Sequence, residues 1–122
     1  MILKREKTNS TPFINCKKGL IEIKGKSIPE DPNAFFDPII DWISAYAKKP
    51  ARSTKININL DYVNSNSCVF LFKMLQLMQN TYNEGHKVET NWYCEEDDDT
   101  MIALAEDYKL LLELPVNIHI YE

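Results

Sequence analysis

Four consecutive residues, Asn64-Ser65-Asn66-Ser67, place two hydroxyls and two amides between an alternating segment and an apolar one. Ser or Asn at such a junction can cap a helix, its side-chain oxygen accepting a free backbone N–H. A serine there can also carry a phosphate. The free N–H groups and the helix dipole favour negative charge, and the modification adds about −1.5 to −2 charges. Ser65 is the candidate acceptor. From the local residues alone both readings, cap and phosphosite, stay open, and they are compatible. The expectation is a regulator that works by a switch, not an enzyme.

A second group is the acidic run Glu95-Glu96-Asp97-Asp98-Asp99. Hard cations take carboxylate oxygens, so a small Mg-dependent hydrolase is the alternative reading. Against it, acidic residues in a first helical turn suit the macrodipole. Consecutive carboxylates at a helix start also point in different directions. His86 and His119 are the only histidines, and neither sits in a Ser–His or Cys–His pattern, so nucleophilic catalysis has no support. Cys16, Cys68 and Cys94 lack metal-ligand spacing and read as reduced packing residues. No cofactor and no metal site is expected. Trp42, Trp92, Tyr62 and Tyr93 read as core and sheet-face residues.

The totals narrow the partners. The chain has 122 residues, with Lys+Arg 14 against Asp+Glu 18 and a net charge of −4. That balance argues against nucleic acid or an anionic membrane as the main partner, since both reward clustered Lys and Arg. No segment approaches the roughly 18 apolar residues of a membrane span. Met1 to Thr11 is basic but has no long apolar run behind it, which excludes a secretory signal. It reads as a flexible N-terminal segment ahead of a single domain, soluble and cytoplasmic.

The elements that position these residues follow from periodicity. Pro12–Asn15 and Leu20–Lys24 read as a hairpin around Lys17-Lys18-Gly19, and Gly25–Glu30 as a loop. Asp31-Pro32 looks like an N-cap with proline at the first helical position. A helix follows to Lys48, with Pro38 expected to start a second segment capped by Asp37. Thr54–Leu60 alternates as a strand, and helix two runs from about Asn66 to Tyr82. Lys87–Tyr93 is a strand, and helix three runs from about Asp97 to Glu113 with Leu111 inward. Val116–Ile120 is a last strand.

The order is β-β-α-β-α-β-α-β, about five strands and three helices in an α/β fold, with parallel strand–helix–strand units. Strands buried on both faces would be continuously apolar. These alternate, so the helices cover one face. Parallel pairing then brings three loops to one edge: Gly25–Glu30, Asn64–Ser67 and Cys94–Asp99.

Four separated motifs carry a family resemblance: Gly25-Lys26-Ser27-Ile28-Pro29-Glu30, Phe36-Asp37-Pro38-Ile39-Ile40-Asp41-Trp42, Leu60-Asp61-Tyr62-Val63-Asn64-Ser65-Asn66-Ser67, and Asn91-Trp92-Tyr93-Cys94-Glu95-Glu96-Asp97-Asp98. In this order, and with the Leu114-Pro115 ending, they resemble the SiaC family of bacterial regulatory phosphoproteins from about Phe13 onward. The resemblance implies a fold similar to the anti-sigma factor antagonist (STAS) domain. It also implies a substrate for a dedicated Ser/Thr kinase and a PP2C-type phosphatase, whose unphosphorylated form binds and activates a diguanylate cyclase. An anti-sigma factor antagonist-like partner-switching adaptor is the alternative. The family's acceptor is usually Thr in an Asn-Thr-Ser-Ser context. Asn64-Ser65-Asn66-Ser67 takes that place, with Ser65 as acceptor and Ser67 as second choice. Ser27, Asn64, Asn66, Glu95, Glu96 and Asp97 are the expected partner-binding surface.

Overall fold

The computed structural model describes residues 1–122. In chain order the elements are β1 (Leu3–Arg5), β2 (Phe13–Lys17), β3 (Leu20–Ser27), α1 (Pro32–Lys48), β4 (Ser53–Val63), α2 (Ser65–Asn83), β5 (Lys87–Glu95), α3 (Asp99–Leu111) and β6 (Val116–Tyr121). The six strands form one sheet in the order β1-β2-β3-β4-β5-β6. β1, β2 and β3 pair antiparallel. β3 to β6 pair parallel, as the intervening helices require.

The register explains the alternation. Ile14, Ile23, Ile58, Trp92 and Ile118 form one row across five strands, and Cys16, Ile21, Ile56, Thr90 and Val116 form the next. All but Ile118 are buried, and Ile118 packs against the same core. The row between them is Asn15, Glu22, Asn57, Asn91 and Asn117. It lies on the opposite, polar face, where Asn15 donates to Glu22 (3.1 Å) and Asn91 to Asn57 (3.3 Å). Apolar side chains thus share one face, under α1 and α2, which stack Phe36 on Phe70 at 4.8 Å, and under α3, where Tyr108 meets Trp92 edge to face at 5.4 Å.

Several boundaries depart from the pattern-based reading, each for a physical reason. There are six strands instead of five. Leu3–Arg5, inside the segment expected to be flexible, pairs with β2 through backbone groups that apolar periodicity does not report. β3 runs through Gly25 to Ser27, because β4 continues beside it and supplies the ladder. Gly25 has φ +111 and an added Cβ would stand 3.4 Å from Lys7 Cδ, so this position favours glycine. α1 is one continuous helix through Pro38. The missing N–H costs one bond to the Ala34 carbonyl, and burial of Phe36, Ile39, Ile40, Trp42 and Ile43 offsets it. Leu111, expected inward, is 67% exposed, because α3 ends there.

β4 extends three residues past Leu60, where the alternation stops. Gly25 pairs with Leu60 but Lys26 pairs with Tyr62, so Asp61 is an extra residue in β4. Such a bulge shifts the side-chain phase by one. Tyr62 is left 53% exposed, while Val63 packs on the core opposite Ser27. A sequence pattern of period two cannot continue through that shift.

Candidate functional site

The bulge delivers the chain to Asn64, the N-cap of α2. Ser65 is therefore the first helical residue and not the cap. Every hydrogen-bonding group of Asn64 that faces the protein is engaged. Its N–H donates to the Ser27 carbonyl (3.1 Å), and its own carbonyl accepts from Cys68 N–H (3.1 Å). Its Oδ1 accepts from Ser67 N–H (2.9 Å).

Ser67 is buried, 1% exposed, and so is Ser27. The Ser67 hydroxyl donates to the Ser27 carbonyl (3.0 Å), and the two hydroxyl oxygens are 2.8 Å apart. A serine has one hydroxyl proton, so the second bond runs from Ser27 Oγ–H to Ser67 Oγ. Ser67, the second-choice acceptor, has its oxygen engaged on both sides beneath the helix. Ser27 is likewise a support under the α2 start, not part of an outer surface. Ser65 and Asn66 are exposed. Their backbone N–H groups begin α2 and have no acceptor inside the helix. No acidic residue occupies that first turn.

From the other side, Tyr108 of α3 donates its hydroxyl to the Cys68 carbonyl (2.6 Å). Burial pushes the Tyr108 hydroxyl far above its ordinary pKa, so it stays a donor. The first turn of α2 is thus held to β3 through Ser67 and to α3 through Cys68. The exposed Ser65 hydroxyl stands on a fixed frame.

The acidic run divides among three structures. Glu95 ends β5, Glu96 and Asp97 form an exposed turn, Asp98 caps α3, and Asp99 begins the helix. No three His, Cys, Asp or Glu side chains converge in an arrangement that could hold a metal ion. Asp98 and Thr100 share a cleft of about 180 Å³ with Asp61, Tyr62 and Val63. The α3 start therefore faces the end of β4, one residue before Asn64. No hydrogen bond or ion pair links Glu95, Glu96 or Asp97 to Ser65. Burial raises all three thiols above their ordinary range. Burial raises Cys16 to about 12. Burial, then Asp98 and Glu106, raise Cys94 to about 11. No helix is long and apolar enough to cross a membrane.

The Ser27–Ser67 pair joins residues 40 apart. Both residues carried a sequence signal only as members of separate motifs, and nothing in either segment pointed to the other. Tyr108 carried none beyond helical spacing.

Comparison with known proteins agrees with this fold. SiaC of Pseudomonas aeruginosa superposes with a TM-score of 0.91 over 99% of both chains at 24% identity. The same fold occurs in the crystal structure of the diguanylate cyclase SiaD in complex with its activator SiaC from that organism, with a TM-score of 0.90 over 98% of this chain and 99% of that one, also at 24% identity. An uncharacterised protein of Pseudomonas aeruginosa (strain UCBPP-PA14) is 25% identical over 117 residues, 94% of this chain and 93% of that protein. The description SiaC family regulatory phosphoprotein matches residues 5–121. This chain, with its fixed α2 start and exposed first-turn serine, belongs to the SiaC family of regulatory phosphoproteins.

Proposed function

We propose that this chain is a phosphorylation switch that binds and activates a diguanylate cyclase while Ser65 is unmodified. The observation that carries the reading is the difference between two serines in one helical turn. Ser65 is exposed above unpaired N–H groups, and Ser67 is locked beneath them. A phosphate on Ser65 would meet the positive end of α2. It would also add charge to an edge that already carries Asp61 and Asp98 around one cleft. A partner seated there without the phosphate would meet repulsion and a hydrated dianion after modification. The solved SiaD–SiaC complex, in which SiaC is the activator, supports a cyclase as the partner class. A dedicated Ser/Thr kinase and a PP2C-type phosphatase complete the cycle, in the cytoplasm. Asn66, Glu95, Glu96 and Asp97 supply outer contacts around Ser65.

The test is phosphopeptide mapping after incubation with the kinase and ATP, paired with cyclase binding by Ser65→Ala and Ser65→Asp. Phosphate on Ser65, retained binding by Ser65→Ala and lost binding by Ser65→Asp are expected. Equal cyclase binding by both variants would leave a constitutive adaptor instead of a switch.

A further inference from the structure

The two outer strands of the sheet are built differently. β1 has three residues, two of them Lys4 and Arg5. Short length and charge are the usual devices that keep an edge from pairing with another chain. β6 has six residues, Val116-Asn117-Ile118-His119-Ile120-Tyr121, with no Lys, Arg, Asp or Glu and no proline. Its register against β5 has no bulge. None of the devices that blunt an edge is present.

The hydrogen bonds show which backbone groups of β6 remain available. The Pro115 carbonyl accepts from Thr90 N–H (3.0 Å), and the Tyr121 carbonyl from Glu96 N–H (2.7 Å). In a parallel pair, alternate residues of a strand face the neighbour. Residues 115, 117, 119 and 121 therefore face β5, and Val116, Ile118 and Ile120 turn N–H and C=O outward. Val116 is covered, but Ile120 is 50% exposed, and β6 is the last strand of the sheet.

We propose that β6 is a self-association edge, pairing antiparallel with β6 of a second copy about a two-fold axis near His119. In that register Ile118 and Ile120 of one copy exchange backbone hydrogen bonds with Ile120 and Ile118 of the other. Their side chains meet on the helix-covered face, and Asn117 lies opposite Tyr121 on the polar face. Cross-strand pairs of this kind are the unit of sheet stability. The occupant is a second copy because the strand is self-complementary and uncharged. Two chains of net charge −4 can approach there without opposing Asp or Glu. A two-fold interface also uses the same patch on both partners. The sheets would run in opposite directions, so the two Ser65 residues would stand at opposite ends of a twelve-stranded sheet and both stay open.

Sedimentation velocity of the intact chain, from micromolar to roughly 1 mM, tests this. Concentration-dependent doubling of mass is expected for the native chain. Ile120→Pro should be monomeric throughout. The N–H it removes points outward, so the β5 ladder is kept, and circular dichroism checks the fold. Ile120→Lys should act likewise. Hydrogen exchange reads the edge directly: the Ile118 and Ile120 amides should be protected in the dimer, and the amides of residues 118 and 120 should be open in Ile120→Lys. A native chain that stays monomeric to the highest concentration overturns the proposal. So does a dimer that survives Ile120→Pro or leaves those amides unprotected.

Discussion

α2 and α3 begin in the same way and present opposite chemistry. Each follows a parallel strand at the same edge of the sheet. Each has an N-cap side chain accepting from the residue three on: Asn64 from Ser67 N–H at 2.9 Å and Asp98 from Met101 N–H at 3.1 Å. Each cap carbonyl takes the N–H four residues on, at 3.1 Å in both cases. Beyond the cap they diverge. The α3 start is already negative, with Asp98 at the cap and Asp99 in the first turn. The α2 start has no acidic residue, a neutral cap and an exposed hydroxyl. A helix start whose dipole is already met has little use for a phosphate. One left unmet, with a hydroxyl in place, is where a phosphate changes most. Capping geometry is common to both starts, and the electrostatic vacancy at α2 is what supports the proposed switch there.

The largest expected effect separates the two serines within the α2 turn. Ser67→Asp should lower stability by about 3–5 kcal/mol, because it buries a charge without a partner. Urea unfolding would read this directly, and near-native stability would mean that the Ser27–Ser67 contact opens easily. Ser65→Asp should leave the midpoint nearly unchanged or raise it, since an acid in an empty first turn contributes about 0.3–1 kcal/mol.

Next come the supports. Asn64→Ala and Asp98→Ala should each cost about 1 kcal/mol. Equal losses would confirm that the caps are structurally equivalent despite their different charge. Tyr108→Phe should cost about 1 kcal/mol through the lost bond to Cys68. Its amide-exchange signature should fall on the first turn of α2, not on that of α3.

The smallest effect concerns the field at the α3 end. Cys94 is raised from 9.0 to about 11 by burial, with Asp98 and Glu106 adding to it. A folded-state pKa above the unfolded one means that the folded chain holds the proton longer. The associated stability is complete below pH 9 and is lost as pH rises towards 11. Asp98→Asn should move the Cys94 titration modestly downward, as read by thiolate absorbance. Ser65→Asp should leave it in place, because the charges that raise Cys94 belong to the cap and body of α3, whereas the new carboxylate would stand on α2. A shift from both would mean that the two helix starts share one field.

Much of the fold was readable from local chemistry. Asp31 before Pro32, the alternation of Ile56, Ile58 and Leu60, and Gly85 after α2 all report their own backbone. So did the one-sided sheet, because strands buried on both faces could not carry Asn57, Asn91 and Asn117 in one row. The extra strand β1 was hidden because its pairing is backbone to backbone. The bulge at Asp61 was hidden because it belongs to the pairing with β3 and not to β4 alone. The cap reading of Ser65 was off by one residue, with Asn64 as the cap, since the bulge sets where the strand ends.

The sequence by itself determined the order of the elements from β2 onward, the apolar face, and a hydroxyl-rich start to α2 without charge. Those depend on periodicity and on residue type, which act over a few positions. Only the tertiary structure decided which serine is presented and which is held. That choice comes from Ser27, 40 residues away, whose carbonyl and hydroxyl both close on Ser67. A hydrogen bond between the end of β3 and the first turn of α2 depends on distance in space, and a linear pattern contains no such distance.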